Sequence, residues 1–333
     1  MPNTKNPEPG KPFYKQRFWR GLVAGLILAV IGWGLIPTSG SKYQGKSATY
    51  WFSRFDSEVS EQSAAAITAF RAMGSNAVPM LVAELEATPS PMNATISSLL
   101  NRVRRYPQDY DQQFNWRRDR AAQLLFEMGE HARPALPSLE KAATDPMWYI
   151  RISAKAALIK LRNESLAPYV EQLKDKSDPI KWYPNAMLLG KFGTNAQAAV
   201  PLLLESLQSS DQIIQAHALI ALGMIKSEPK LCVPAIIPFL TDVNVSLRQK
   251  SYYAILSFAE DAGGATEAII IGLHDSDPWT KRQAIIAVAK ILSPADRHRV
   301  LPQLEVLLDD PDPFISNTIK KWLPKIKADA AKR

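Results

Sequence analysis

The chain repeats itself, and that limits it more than any other feature. Asp145, Asp178, Asp211, Asn244 and Asp277 stand 33 residues apart, and Asp312 follows 35 residues later. Pro168, Pro201 and Pro234 keep the same step, and Pro79, Pro137 and Pro302 share their local setting. A stretch rich in small residues precedes each proline, as in AAAITAFRAMG, AAQLLFEMG and AHALIALGMI. A period of this length is one supersecondary unit. Such a unit cannot bury its apolar face alone, so neighbours must stack.

Each period reads as two helices. Ala216, Leu219, Ile220, Leu222 and Gly223 recur at helical spacing on the first. The second is expected to start at the proline, whose missing N–H is unpaired in a first turn anyway. Leu203 and Leu207 lie four apart on its inner face. Asp at the turn is expected to cap the next first helix. The pairs Asp145-Pro146, Asp178-Pro179, Asp277-Pro278 and Asp312-Pro313 stop one helix and start another. With 25 prolines against 15 glycines, the composition suits many short helices and not a glycine-turned sheet. The expected fold is all-α: an α-solenoid over residues 58–328, a superhelix of about seven helix pairs. The pairs fall at about 58–87, 116–144, 146–177, 179–210, 212–243, 245–276 and 278–311, with a closing helix at 313–328. An insertion occupies about 88–115, expected as a helix over 93–106 and a loop over 107–115, and residues 329–333 form a disordered tail.

The N-terminus has a different character. Residues 1–46 hold seven basic groups and one acid, so the remaining 287 residues carry only +2 of the net +8. Residues 1–17 read as a disordered basic tail. Gly21–Ile36 is uncharged, and with Phe18 and Trp19 the span 18–36 is about 28 Å long as a helix, close to a bilayer core. It is expected to be a transmembrane anchor, with 37–57 as a juxtamembrane linker. Basic residues before it place the N-terminus in the cytoplasm and the repeats outside. The alternative is a cleaved signal peptide that exports the body.

These residues resemble the HEAT-repeat family. The marks are Ala218-Leu219-Ile220-Ala221-Leu222-Gly223 in a first helix, Ala199-Val200-Pro201-Leu202-Leu203 in a second, and turn pairs Asp145/Arg151, Asp242/Arg248 and Asp277/Arg282. Residues 43–55, with Gly45, Lys46 and Trp51, are similar to the junction of membrane-anchored bacterial HEAT-repeat proteins. Leu161-Arg162 stands where Leu-Gly is usual, and Glu267 replaces the proline of the sixth pair. The resemblance implies an α-solenoid that binds other proteins, usually without catalysis.

No chemistry-bearing constellation emerges. His131, His217, His274 and His298 never fall three to five residues apart, so no local metal cluster assembles. Cys232, the one cysteine, excludes an intramolecular disulfide, and its setting in Leu231-Cys232-Val233 reads as buried and inert. Gly263-Gly264 lacks the lysine and strand of a phosphate loop. The recurring Asp and Arg residues are expected to form a ladder between neighbouring pairs. No catalytic residue, metal or cofactor is therefore expected.

Two surfaces remain. Arg102, Arg104, Arg105, Arg117, Arg118 and Arg120, among Tyr106, Tyr110, Phe114 and Trp116, form a basic patch that could meet phosphate. Asp109, Asp111 and Asp119 dilute it, and a nucleic-acid partner is not expected. On the second helices, Tyr169, Leu202, Phe239, Ile271 and Leu307 are expected to line an apolar groove for a partner protein. The resulting expectation is a membrane-anchored, non-catalytic interaction scaffold with no small-molecule substrate. The alternatives are a HEAT-like enzyme of chromophore-lyase or DNA-glycosylase type, or a nucleic-acid binder.

Overall fold

In the computed structural model, the residues described are 40–55, 60–89, 95 and 110–331. They fall into two compact units, 1–80 and 81–333.

In the first unit, the stretch expected as a linker is folded. Lys42–Tyr43 and Lys46–Ser47 pair antiparallel. Gln44 and Gly45 between them both have positive φ, the conformation a two-residue hairpin turn requires. Ser47 then caps the helix Ala48–Arg54 by accepting the Tyr50 N–H at 3.2 Å. Trp51 Nε1 donates back to the Tyr43 carbonyl at 3.2 Å. The helix Ser60–Met73 packs on this hairpin and short helix. The helix Val78–Glu86 follows and runs into the second unit.

The second unit is a helical repeat array. Its first and second helices are Tyr110–Met128 and Leu136–Ala142, Trp148–Arg162 and Ala167–Gln172, Pro179–Lys191 and Val200–Ser206. Then come Gln212–Ile225 and Pro229–Ile236, Val245–Phe258 and Thr266–Gly272, Pro278–Ile291 and Pro294–Val306, closed by Pro313–Ala330. With the pair around Ser60–Glu86, these are helix pairs one to seven. From pair two onward, first helices of successive pairs pack directly on one another. One continuous apolar core runs from Leu173 to Ile326.

Several local expectations are corrected. Residues 110–115 open a helix and are not a loop, while 93–106 lie outside the described residues apart from Thr95. The closing helix runs on to Ala330, because Ile326 and Ala330 are buried on its inner face. Pro137, Pro168 and Pro201 do sit in the first turns of second helices. Pro234 and Pro302 lie inside theirs, because Pro229 and Pro294 start those helices earlier. Asp178, Asp211, Asn244, Asp277 and Asp312 cap first helices through their side chains. Asp145 does not: the cap residue is Met147, and Asp145 accepts its N–H from two residues upstream. Where Arg162 replaces glycine, Asn163 supplies the left-handed residue that ends the helix, with φ at 53°.

The expected membrane placement is also corrected. Among the described residues no helix is long and apolar enough to cross a membrane. The segment 18–36, on which that expectation rested, lies outside them. The helices described alternate buried and exposed faces, as packing against neighbouring helices requires and a bilayer does not.

Candidate interaction surface

The second helices carry the expected groove, and the structure breaks it up. Ile271 is 60% exposed. Tyr169 and Leu202 are half-buried against the core. Phe239 and Leu307 are buried. The five do not form one exposed stripe. The exposed apolar row instead comprises Pro238, Ile271 and Val306, the last 74% exposed. Phe239 and Leu307 are each one residue beyond it, and one residue turns a helical side chain by about 100°, from solvent into core. The same position in pairs two, three and four is held by Lys141, Gln172 and Glu205, all exposed. The row is therefore polar in the early pairs and apolar in the late ones. Its steps of 31, 33, 33, 33 and 35 residues match the steps between first-helix caps. Aligning the sequence on those caps finds the row.

The basic patch is only partly described. Arg102, Arg104 and Arg105 lie outside the described residues. Arg117 donates to both carboxylate oxygens of Glu84, from Nε at 3.0 Å. Arg118 donates to the Leu85 carbonyl at 3.0 Å and to Asp145 Oδ2 at 2.5 Å, in a pair shielded from solvent. Arg120 is half-buried. Two of the three described arginines thus already hold carboxylates of neighbouring elements.

Arg118–Asp145 is one rung of a ladder between pairs. Arg248 forks onto Asp275 at 2.7 and 2.8 Å and also donates to the Asp242 carbonyl at 2.8 Å. Lys281 reaches Asp310 at 3.2 Å. Arg151 donates to the Asp145 carbonyl at 2.6 Å. Arg282 does not engage Asp277: its guanidinium lies 4.9 Å over the Phe314 ring. Shielded pairs of this kind fix the register between stacked helices.

The remaining reactive side chains are absorbed by packing. Burial pushes the Cys232 thiol up to about 11, and its Sγ lies 3.3 Å from the Ser227 carbonyl. The His217 ring stacks on Tyr183 at 4.5 Å, and burial holds its imidazole below the ordinary value. Among the described residues no group of three or more His, Cys, Asp or Glu is placed to hold a metal ion.

A second exposed apolar set was not anticipated. It sits where first helices begin: Met147, Ile180, Ile213, Val245 and Phe314 are 37 to 70% exposed. The signal was legible, because Ile180, Ile213, Trp279 and Phe314 each lie two residues after a capping Asp.

No family model matches the chain, and no curated protein matches it. Among solved structures, an engineered protein is similar at 20% identity over 58% of this chain and 98% of its own, with a TM-score of 0.44. A designed armadillo repeat protein in complex with a (KR)4 peptide is 16% identical over 75% of this chain and 99% of its own, with a TM-score of 0.44. Human deoxyhypusine hydroxylase in complex with glycerol is 16% identical over 84% of each chain, with a TM-score of 0.35. Likenesses this distant say nothing of ligand or reaction, and the helical-repeat architecture rests on the chain's own packing.

Proposed function

We propose that this chain is a non-catalytic scaffold of the HEAT type that binds another protein. The observation that carries the reading is the row Pro238, Ile271 and Val306. These are apolar side chains at one equivalent position, counted from the first-helix caps, in three successive pairs, with Ile271 and Val306 well exposed. Contiguous exposed apolar patches mark interaction sites, and these residues recur in register along the array. Shape and a few anchor residues would supply the affinity. Nucleic acid is the weaker reading, because the chain beyond residue 46 carries only +2 and Arg117 and Arg118 are paired.

The test places a photo-crosslinking residue at 271 or 306, and at 141 or 172 as controls, in cells that produce the protein. A discrete protein adduct from 271 and 306 that is absent from 141 and 172 is the expected result. Adducts at none of the four positions, or nucleic acid in the adduct, would overturn the reading.

A further inference from the structure

The second apolar set has a chemistry of its own. First helices of pairs four to seven and the closing helix pack side by side. Their starts bring Ile180, Ile213, Val245, Trp279 and Phe314 to one edge of the array. Ile180 is 70% exposed, Ile213 46% and Phe314 45%, Trp279 is half-buried, and Val243 in the adjoining turn is 97% exposed. Four of the five follow a capping aspartate by two residues, so the edge alternates carboxylate and apolar side chain.

Capping carboxylates recur along this edge, with the cations Lys181 and Arg282 among them. Asp145, Asp275 and Asp310 are neutralised by the ladder cations. Asp178 has Lys181 at 3.2 Å. For Asp211, Asp277 and Asp312, no cation of the described residues lies within ion-pair distance. Asp309 is exposed as well. A cleft of about 240 Å³ opens at the start of the edge, lined by Gln172, Asp175, Asp178 and Lys181 among others. Hydrogen bonds from Ser177 hold Asp175 below the ordinary carboxylate value, and those from Lys181 do the same for Asp178. Among the described residues, Arg282 lies over Phe314.

The general spacing of packed helices sets the repeat that a docked partner has to match. Packed helices lie about 8–10 Å apart. A helix repeats a face every seven residues, or about 10.5 Å. A strand repeats a face about every 6.8 Å and falls out of register.

We infer that this edge docks a basic amphipathic helix of a partner protein, its apolar face on Ile180 through Phe314 and its lysines or arginines toward the capping carboxylates. This rests on the scaffold reading and adds the site and the partner's chemistry.

The test uses two synthetic helical peptides of about 25 residues, both with leucines along one face, one with lysines and the other with glutamates opposite. Fluorescence anisotropy measures their binding to the full chain and to two double variants, Ile180→Ser/Ile213→Ser and Ile271→Ser/Val306→Ser. Circular dichroism checks that both variants remain folded, and a misfolded variant is replaced by Ile180→Gln or Ile271→Gln alone. The expected result is that the lysine peptide binds at least tenfold more tightly than the glutamate peptide. The first double variant then loses at least tenfold and the second is unchanged. Equal binding of both peptides, or no binding of either, overturns the proposal. Loss confined to the second variant also overturns it, yet leaves the scaffold reading standing. Crosslinking at 271 and 306 tests that reading separately.

Discussion

The joint between pairs two and three buries charge, and the joint between pairs five and six brings backbones together. In the first, polar groups meet between first helices. Asp119 accepts from Ser153 Oγ at 2.5 Å and from Gln123 Nε2 at 2.6 Å. Lys160 donates to the Phe126 carbonyl at 2.9 Å and lies 4.2 Å over its ring. Burial pushes the Asp119 carboxyl up despite nearby Lys191, and burial pushes Lys191 down. In the second joint the backbones close on one another at Gly223, and one side-chain hydrogen bond, from Asn244 Nδ2 to Gln212 Oε1 at 2.6 Å, crosses it. A Cβ on Gly223 would lie 2.7 Å from the Ala254 Cα. Inside pair six, a Cβ on Gly272 would lie 1.9 Å from the Tyr252 hydroxyl, which is itself buried. One joint holds its register with directed hydrogen bonds and tolerates charge at an energetic cost. The other is close-packed at Gly223, where an added Cβ meets backbone.

Substitutions can break that contrast. Gly272→Ala carries the largest expected effect. Tyr252 is fully buried and its ring would have to shift, so overpacking should destabilise by about 3 kcal/mol, read as a lower urea midpoint at constant slope. A midpoint equal to wild type would mean the fit is loose. Arg248→Ala comes next. It leaves the shielded Asp275 carboxylate without its partner, and a loss of about 2 kcal/mol is expected in the same titration.

Asp119→Asn should go the other way and stabilise at neutral pH. Because the folded-state value of Asp119 is raised, its contribution is present below the ordinary carboxylate range and is lost as pH rises through the raised value. The variant's advantage over wild type should therefore grow with pH and vanish in acid. An advantage that grows as pH falls would contradict the burial account. Asp277, whose hydrogen bonds from Gln249 and Thr280 outweigh burial, shows the reverse linkage and loses its contribution only as pH falls through its lowered value. Arg299→Ala is the smallest change. Its pair with Glu267 is exposed on both sides, so the thermal midpoint should not shift measurably.

Much of the architecture was legible in the residues. Proline and aspartate act locally: one fixes φ and starts a helix, the other caps the next, and neither needs a distant partner. Their period therefore announced helix pairs and the stack. The ladder was legible in part: Arg151 and Arg248 do reach the carbonyls of Asp145 and Asp242, while Arg282 does not engage Asp277 and the rungs from Arg118 and Lys281 came only with the structure. The exposed row was not. Choosing Phe239 over Pro238, or Leu307 over Val306, needs the rotation of each second helix about its own axis. That rotation is set by the neighbours it packs against, and the 3-10 turns Ile237–Thr241 and Leu307–Asp309 shift it further. Asp145 misled for a similar reason. Its 33-residue step to Asp178 is a coincidence of spacing, since the true cap-to-cap step there is 31 residues.

By itself, then, the sequence determined that this chain stacks short helices in pairs and which residues cap most of the first helices, because those instructions are written in residues a few positions apart. Only the tertiary structure decided which apolar residues remain in solvent, that residues 42–55 fold rather than link, and which joints are polar and which close-packed. Those outcomes depend on contacts between residues some 30 positions apart, where a single step along a helix exchanges the inside for the outside.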